Sequence, residues 1–546
     1  MLKDTTVTVI VPMSDKSNKI QFKKIFMRRD AALYGLYLVV SLIGLLFFVP
    51  HNDEIIYAQH AHLIHSDWKT YKYVSMDGSF GGDYKEPLQY WITSLTVDTW
   101  DSPIWGVRLW SLITGFCGFF FAKKLIAEIW NEKASMFFVL LMFFSSYFLY
   151  FNVIALYEVY IYGFGITFLY FLYRYIENGR FYWAILSLLF LVLLMLCKES
   201  AKLWLVYTFF IPLFIRGGSS ESFRKTLADF KRRLLISYGK IILIFLCSYP
   251  LIHMLLPSEF DAVHKACINE TFHRTISEML DFPFSDWFAN TKFYLSDVLF
   301  MDYSYPVFVF FLLLVCGICF SGKRHVTFIL LIFLWLCSFM IQVVFMKLTL
   351  VRHFGMGLYF WYFPVAVSMA LVYEKIKSIK KYVIVFWTIL VSIGLWQAGN
   401  NYYNLLKYGQ IDIAMAETKA QWANGLGVYE MLDKLKGLDS GVLIYEPQWG
   451  YPGTTIEVFS KTLPKLTITP LTNEILPHLH EFKDKTNNDK KNMYILVDRR
   501  SGTNPMINSI INDPDLCAKN EIIPKIYKNE ILTRSCYVIC KNEYLK

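Results

Sequence analysis

The chain has 546 residues, of which 55% are hydrophobic, 18% aromatic and 18% charged. Its apolar runs are too long and too numerous for a soluble protein, which would divide into several cores with charged surfaces. The net charge of +10 arises from short basic clusters between the apolar runs, which argues against a nucleic-acid-binding face and favours topology signals in a membrane protein.

The apolar runs predict a polytopic α-helical membrane protein. Residues 1–31 are polar, end in the basic cluster KKIFMRR and lack a cleavable signal pattern, so we expect a cytoplasmic N-terminal segment. Residues 32–398 then contain about eleven transmembrane helices, and with this number each basic turn falls on the cytoplasmic side. The predicted spans are 32–49, 104–121, 134–151, 157–173, 181–196, 201–215, 241–256, 307–320, 326–345, 353–373 and 383–396.

The most polar stretch between two apolar segments, residues 51–91, lies in a predicted outer loop, 50–103. Asp53 and Glu54 follow the first span directly. A carboxylate at the membrane interface can act as a general base or a metal ligand, or it can simply end a helix in solvent. Lys85 offers a point charge for the phosphate of a lipid-linked substrate, with an interfacial anchor as the alternative.

Further charged residues fall on the same predicted outer surface. Glu158 begins a span there, and Lys198 interrupts two otherwise apolar spans, where ionisable residues tend to line cavities or pair with each other. The structural alternative is an ion pair of Lys198 with Glu199 or Glu158. Arg352, at the outer start of a late span, has the forked donor geometry that phosphate prefers, and its alternative role is a helix-end anchor.

The histidines and cysteines indicate a functional site less clearly than the charged residues do. Four histidines precede or lie in a predicted amphipathic surface helix, and only His62 and His65 share a helical face, so metal binding by these residues is the less favoured interpretation. The cysteines within apolar segments indicate small buried hydrophobic residues. In an oxidising compartment, the three cysteines of the polar tail allow one disulfide. The histidines are His51, His60, His62 and His65, and the tail cysteines are Cys517, Cys536 and Cys540.

Residues 399–546 are polar and contain short β-type runs separated by turn-rich segments. Strands are predicted at GVLIYE, KLTITPL, MYILVD and CYVIC, and a helix at residues 414–435. The alternation of strands and helices favours a small soluble α/β domain on the outer side of the membrane.

Three motifs in order resemble one family. DEIIYA follows the first span, KEPLQYW follows it in the outer loop, and RLWSLITG begins at Arg108. This succession resembles the GT-C membrane glycosyltransferases, in the branch of the protein O-mannosyltransferases and the lipid A aminoarabinose transferases. The resemblance extends over residues 30–375 and rests on the ordered combination of motifs. It implies a GT-C fold, a sugar donor carried on a polyprenyl phosphate, and inversion at the anomeric carbon.

Site roles follow from the resemblance by position. Asp53 corresponds to the catalytic acidic residue, and Lys85 corresponds to the residue that binds the donor phosphate. We assign Glu54, the other acid of the pair, to catalysis with Asp53. The resemblance also places Glu158 at a second outer acidic position and Arg352 at a basic position before a late span. Together with the charge pattern, we expect Arg352 and Lys198 to bind the donor phosphate and Glu158 and Glu86 to be supporting acids. Two departures from the family pattern, Glu86 for a proline and His353 for a tyrosine, leave the donor pocket and the use of a divalent metal ion open.

The sequence therefore predicts an inverting glycosyltransferase at the outer face of a bacterial inner membrane, with its active site towards the periplasm. It would transfer a sugar from a polyprenyl-phosphate donor to a lipid, glycan or protein acceptor, with no nucleic-acid partner.

The main alternative is a transporter or flippase of a lipid-linked or amphiphilic substrate, which should carry charges near the bilayer midplane and repeated halves. A polysaccharide ligase is a third reading, and it would need paired arginines in the late outer loop, where the sequence has only Arg274.

Overall fold

The structure is a computed structural model. It describes residues 16–74, 86–100, 102–214, 223–256, 274–299, 307–347, 350–412, 428–446, 453–472, 475–489, 491–499, 505–527 and 530–542. Lys85 and residues 414–427 of the predicted helix 414–435 lie outside these ranges.

The first part of the chain is helical. Its helices are α1 (Lys16–Phe47), α2 (Asn52–Ser66), α3 (Trp68–Tyr71), α4 (Leu88–Ser94), α5 (Pro103–Ile129), α6 (Glu132–Phe144), α7 (Ser146–Phe151), α8 (Tyr157–Asn178), α9 (Phe181–Met195), α10 (Trp204–Thr208) and α11 (Phe223–Leu255). Further along the chain come the helices Ile276–Leu280, Phe284–Lys292, Val307–Phe320, His325–Met340, Leu358–Ile376 and Lys380–Tyr408. Single turns of other helix types complete this part: the 3-10 helices Glu199–Leu203, Ile211–Phe214, Gly322–Arg324 and Val351–Gly357, and the π-helices Phe293–Val298 and Ile341–Phe345.

Helices are observed at ten of the eleven predicted spans. The exception is residues 201–215, where the described chain forms two 3-10 turns around the short helix α10. Within the described residues, three helices are long and apolar enough to cross a membrane, Lys231–Leu255, His325–Phe345 and Lys380–Tyr408, and shorter apolar helices lie at Ala31–Phe47, Phe181–Met195 and Val309–Phe320. The count of eleven transmembrane helices stays a prediction.

Helix α8 lies at the centre of the helical part. Eighteen of its 22 residues are buried, whereas Lys380–Tyr408 leaves large apolar side chains such as Trp396 and Leu395 exposed, as expected for a lipid-facing helix. α8 approaches α5 closely because glycines lie at the crossing: a Cβ on Gly118 would come within 2.7 Å of Gly163 Cα. Small residues permit this approach of two backbones, which strengthens van der Waals packing within a membrane.

The first and last long helices meet at one end of the helical part. Lys380–Tyr408 ends at Gly409, whose φ of +67° is a left-handed conformation that glycine adopts without steric cost. The carbonyl oxygen of Gly409 accepts a hydrogen bond of 3.0 Å from the backbone N–H of Val49, just beyond α1. The chain therefore enters α2 and leaves the last long helix at the same end, and the C-terminal part begins beside α2.

The C-terminal part contains a five-stranded mixed sheet in the order β2-β1-β3-β5-β4. The strands are β1 (Gly441–Tyr445), β2 (Leu466–Pro470), β3 (Asn492–Arg499), β4 (Lys519–Tyr527) and β5 (Glu530–Asn542), and the helices are Val428–Lys436, Gly453–Val458, Leu479–Asn488 and Pro505–Asn512, with 3-10 turns at Ser460–Thr462 and Leu476–His478. β1 runs parallel to β2 and β3, and β5 is antiparallel to both β3 and β4. The four predicted strands are confirmed, and β4 is a fifth that the sequence pattern did not reveal.

Both faces of this sheet are buried, because successive side chains of a strand point to opposite faces. In β1, Leu443 and Tyr445 face a core that also contains Ile55 and Ala58 of α2. The alternate residues face a second core, shared with the helices Leu479–Asn488 and Pro505–Asn512. The first core therefore joins the C-terminal part to α2.

A disulfide links Cys517 to Cys540 on the second face of the sheet. Cys540 lies in β5, and Cys517 precedes β4, so the bond fastens the connection into the sheet edge. The sequence-based expectation of one disulfide among the tail cysteines agrees with this pairing. Disulfides persist in oxidising compartments, such as the periplasm or the cell exterior.

Candidate active site

The site begins with the capped N-terminus of α2. The His51 Nδ1 accepts a hydrogen bond of 3.1 Å from the backbone N–H of Asp53, and the Glu54 carboxylate accepts one of 2.8 Å from the N–H of His51. This reciprocal arrangement satisfies two N–H groups that a helix start leaves without partners. It fixes the first turn of α2, and with it the directions of the Asp53 and Glu54 side chains.

Glu54 lies in a fully buried ion pair with Arg108. The Nε and Nη2 atoms of Arg108 donate to the two carboxylate oxygens at 2.8 and 2.7 Å, and the N–H of Ala155 donates to the same carboxylate at 2.7 Å. The guanidinium also donates to the carbonyl oxygens of Phe48 and Val49 at the end of α1. The pair thus ties α1, α2, α5 and the approach to α8 together, and both Glu54 oxygens are occupied by protein donors.

Asp53 points to a different partner. Adjacent residues of an α-helix differ in direction by about 100°, so Asp53 faces away from Arg108. Its carboxylate forms an ion pair with the guanidinium of Arg352, and both residues are less than a tenth exposed. Arg352 lies in the 3-10 helix Val351–Gly357, whose backbone is held by a 2.7 Å hydrogen bond from the Tyr147 hydroxyl to the Arg352 carbonyl oxygen.

Glu158 and Lys198 form a second ion pair. Glu158 lies in the first turn of α8, and Lys198 follows α9, with 3.3 Å between Lys198 Nζ and a Glu158 oxygen. The glutamate is almost completely buried, whereas about a fifth of the lysine side chain is exposed. Of the two partners expected for Lys198, the structure pairs it with Glu158, and Glu199 contacts Lys202.

The two ion pairs lie close to one histidine. Burial lowers the pKa of His51 below its ordinary value of 6.5, and the charges of Asp53, Arg352, Glu54 and Glu158 all act on its ring. Five charged or titratable groups from three segments therefore meet at the start of α2, and Lys198 joins them through its pair with Glu158. The structure thus brings together Asp53, Glu158, Lys198 and Arg352, which the sequence places on one predicted outer surface.

Lowering the pH should destabilise the protein through His51. Because the pKa of His51 is depressed in the folded state, the unfolded chain binds the proton more readily, and the stabilisation is complete above about pH 6.5 and lost as the pH falls below it. We expect His51→Asn, which keeps a helix-capping side chain, to show a smaller fall in melting temperature between pH 7.5 and 5.5 than the wild type. Equal falls in the two proteins would contradict this role.

The KEPLQYW segment contacts the same region. The backbone carbonyl of Glu86 accepts a 3.2 Å hydrogen bond from the Tyr157 hydroxyl, next to Glu158, and the N–H of Leu88 donates to the carbonyl of Leu196, next to Lys198. The Glu86 side chain is buried. The structure therefore brings the Glu86 segment to the residues that precede Glu158 and Lys198 in the chain, while Lys85 lies outside the described residues.

The four histidines have separate surroundings. His60 packs against the ring of Tyr90, and His65 Nδ1 lies 2.8 Å from the carbonyl oxygen of Ser94. His62 Nδ1 lies 2.8 Å from an oxygen of Asp98, while His51 caps α2. Within the described ranges, no three His, Cys, Asp or Glu side chains converge in a way that could hold a metal ion. The use of a divalent metal ion stays a prediction.

Arg274, in the predicted outer loop 257–305, is bound by contacts within the protein. Its guanidinium lies 2.9 Å from Asp286 and donates to the carbonyl oxygens of Val344 and Met346. Nearby, Lys347 pairs with Glu278 at 2.6 Å. These contacts fasten the loop helices to the end of the span at residues 326–345, and they do not favour the polysaccharide-ligase reading.

Part of the chain matches a known protein family, and its fold matches solved structures. Residues 84–245 match the family model for dolichyl-phosphate-mannose-protein mannosyltransferase. The crystal structure of ArnT from Cupriavidus metallidurans bound to undecaprenyl phosphate superposes with a TM-score of 0.53 at 12% identity, covering 93% of this chain and 97% of ArnT. The chain has the fold of the GT-C membrane glycosyltransferases.

The GT-C resemblance expected from the three motifs is therefore confirmed. The apo crystal structure of the same ArnT gives a TM-score of 0.52 at 12% identity, covering 94% of this chain and 98% of ArnT. No protein of curated function matches the sequence significantly. The GT-C likeness extends through the C-terminal part, because nearly the whole of both chains is aligned.

Sequence reasoning missed Arg108 as a functional position. It begins the RLWSLITG motif, yet no local pattern links it to Glu54, which is 54 residues earlier. An arginine within an otherwise apolar predicted span was the available signal, because such a residue needs a buried acidic partner. The two adjacent acids therefore have different partners: Glu54 pairs with Arg108, and Asp53 pairs with Arg352.

Proposed function

We propose that the protein is an inverting glycosyltransferase that transfers a sugar from a polyprenyl-phosphate donor to a lipid, glycan or protein acceptor. The observation that carries the proposal is the buried Asp53–Arg352 ion pair beside Glu158 and Lys198. The ArnT fold and the mannosyltransferase family match support the glycosyltransferase class. The undecaprenyl phosphate named for the ArnT structure supports a polyprenyl-phosphate donor.

The donor phosphate would bind between Arg352 and Lys198. When the bond between the anomeric carbon and the phosphate oxygen breaks, negative charge grows on the phosphate, and two fixed cations stabilise that charge without donating a proton. Arginine binds phosphate through parallel hydrogen bonds, and lysine acts as a point charge. Lys85, which the family resemblance also assigns to this phosphate, remains part of the proposal.

Asp53 would be the general base. Phosphate bound to Arg352 competes with the Asp53 carboxylate for the guanidinium, which leaves the carboxylate available to the acceptor. The acceptor oxygen or nitrogen then attacks the anomeric carbon from the side opposite the phosphate, its proton passes to Asp53, and the sugar inverts its configuration. Glu158 orients Lys198, and Glu86 supports the same region from the KEPLQYW segment.

Glu54 has a positioning role in this proposal. Both its oxygens accept hydrogen bonds from Arg108 and backbone N–H groups, so neither is available to an acceptor without breaking the buried pair. The sequence-based assignment of Glu54 to catalysis is replaced here by a role in fixing the first turn of α2. That turn sets the direction of Asp53.

The reaction would take place at the outer face of a bacterial inner membrane, with the site towards the periplasm. The disulfide between Cys517 and Cys540 supports an oxidising compartment for the C-terminal part, which packs against α2. The end of α2 that carries the site lies beside the point where Gly409 leads into that part. Both observations favour one compartment for the site and the C-terminal part.

Two charge-removing substitutions test the donor site. We expect Arg352→Gln and Lys198→Gln to lower kcat/KM for a polyprenyl-phosphate sugar by roughly 10²–10³-fold, because each removes a cation from the leaving phosphate. The measurement is release of labelled sugar by purified protein in detergent, with Lys202→Gln as the matched control. Lys202 follows Lys198 by four residues, is exposed and pairs with Glu199. Unchanged kinetics in both variants would refute the donor site.

A further inference from the structure

A cavity lined by both polar and apolar side chains lies between α2 and the C-terminal part. It has a volume of about 780 Å³ and opens next to the turn that precedes α5. α2 supplies one wall, that turn supplies another, and the segment after β1 supplies the third. The polar and aromatic side chains used in the argument below are Gln59, His62, Asp98, Trp100, Glu457 and Lys461.

Contacts across this cavity hold its carboxylates in place. One oxygen of Asp98 lies 2.8 Å from His62 Nδ1, and the other lies 3.5 Å from Lys461 Nζ. Glu457 accepts a 2.7 Å hydrogen bond from the Tyr445 hydroxyl and a second from the amide of Gln59. The cavity is therefore lined by oriented side chains from both parts of the molecule.

The chemistry of the lining favours an uncharged ligand rich in hydroxyl groups. The two lysines of the lining, Lys436 and Lys461, are balanced by Asp98 and Glu457, so the described lining carries no surplus of the positive charge that a polyanion needs. Amide, imidazole and carboxylate groups can each bind hydroxyls. Trp100, which is 42% exposed, offers an apolar face to the C–H face of a sugar ring.

We infer that this cavity is a saccharide-binding subsite for neutral sugar residues. Its relation to the reaction rests on the proposed function: the bound saccharide would be the part of a glycan or glycolipid acceptor that lies beyond the attacking group. Asp53 and His62 are nine residues apart on the continuous helix α2, which is about 14 Å along the helix axis. An acceptor held by the cavity could therefore extend along α2 to the general base.

Binding can be measured separately from turnover. The full-length Asp53→Asn protein is labelled and applied in detergent to an array of neutral and anionic oligosaccharides. We expect it to bind neutral oligosaccharides, and we expect Trp100→Ala in the same background to weaken the binding about tenfold or more. Trp68→Ala is the matched control, because Trp68 is 48% exposed and lies outside the cavity. Absence of binding, binding of anionic saccharides alone, or equal binding after Trp100→Ala would overturn the inference.

Kinetics separate this inference from the proposed function. With an oligosaccharide that binds on the array as acceptor, Trp100→Ala and Asp98→Asn should raise the acceptor KM and leave the donor KM unchanged. Full transfer activity in the Asp53→Asn protein would refute the proposed base while saccharide binding stands. Normal acceptor KM in both cavity variants would refute the subsite while the transferase stands.

Discussion

Asp53→Asn is expected to lower the rate of sugar transfer by roughly 10²–10⁴-fold, the usual contribution of a positioned general base. Asparagine has nearly the same shape and can still accept a hydrogen bond from Arg352, but it cannot take the acceptor's proton. The measurement is turnover of a radiolabelled polyprenyl-phosphate sugar by purified protein at equal folded concentration. The donor KM should change much less than kcat, because Asp53 acts on the acceptor.

Asp67→Asn is the matched control for this substitution. Asp67 caps α3 just beyond the other end of α2, is exposed, and asparagine caps a helix about as well as aspartate. The control should retain turnover close to that of the wild type. If Asp53→Asn also retained it, another group would have to be the base.

Glu54→Ala is expected to destabilise the folded protein by about 3–5 kcal/mol, because it leaves the Arg108 guanidinium buried without its carboxylate. The N–H of Ala155 loses its acceptor as well. The free energy of unfolding can be measured by titration with a denaturing detergent in mixed micelles. Glu374→Ala is the control: Glu374 pairs with Lys133 and Lys377 at the surface, where an ion pair contributes about 0–1 kcal/mol.

Glu54→Gln distinguishes a positioning role from a catalytic one. The amide keeps an acceptor for Arg108 and occupies the same volume, so the folded fraction should retain most of its turnover. A catalytic carboxylate would behave differently, because Glu54→Gln would then abolish turnover as Asp53→Asn does. Loss of turnover in fully folded Glu54→Gln would contradict the division of roles between Asp53 and Glu54.

Periodicity in the sequence predicted most of the fold because its signals are local. Apolar runs marked the spans, and β-type runs marked four strands. Residues 201–215 were expected to form one helix, but the described chain there forms short turns that pack against α8 and α11. Hydropathy indicates that a segment lies in apolar surroundings. It does not distinguish surroundings of lipid from surroundings of other helices.

β4 was missed for a related reason. Its sequence, KNEIIPKIY, contains a proline and charged residues, which are typical of an edge strand and weaken the alternating pattern. β4 does lie at the edge of the sheet, and its register with β5 shifts next to Pro524. Strand signals are weakest at such an edge, because fewer of its side chains need to be buried.

For the candidate site, the sequence predicted which residues lie together better than it predicted which residues form ion pairs. Topology predicted that Asp53, Glu158, Lys198 and Arg352 share one surface. It left the partner of Lys198 open between Glu158 and Glu199, and it did not predict that Asp53 and Arg352 form a pair. Asp53 pairs with Arg352 across 299 positions, a contact between α2 and the 3-10 helix Val351–Gly357 that no local sequence pattern links. Asp53 and Glu54 are neighbours on one helix, so their side chains point in different directions. Which arginine each carboxylate meets becomes visible only in the folded structure, where Glu54 pairs with Arg108 and Asp53 with Arg352.

The fate of the sugar–phosphate bond tests the central claim most directly. Purified wild-type protein in liposomes would receive a polyprenyl-phosphate sugar labelled in both the sugar and the phosphate, and the two labels would be followed separately. We expect the sugar label to leave the phosphate label and polyprenyl phosphate to accumulate, and we expect Asp53→Asn to prevent both. Movement of the doubly labelled donor across the bilayer with the bond intact would contradict sugar transfer and identify a flippase.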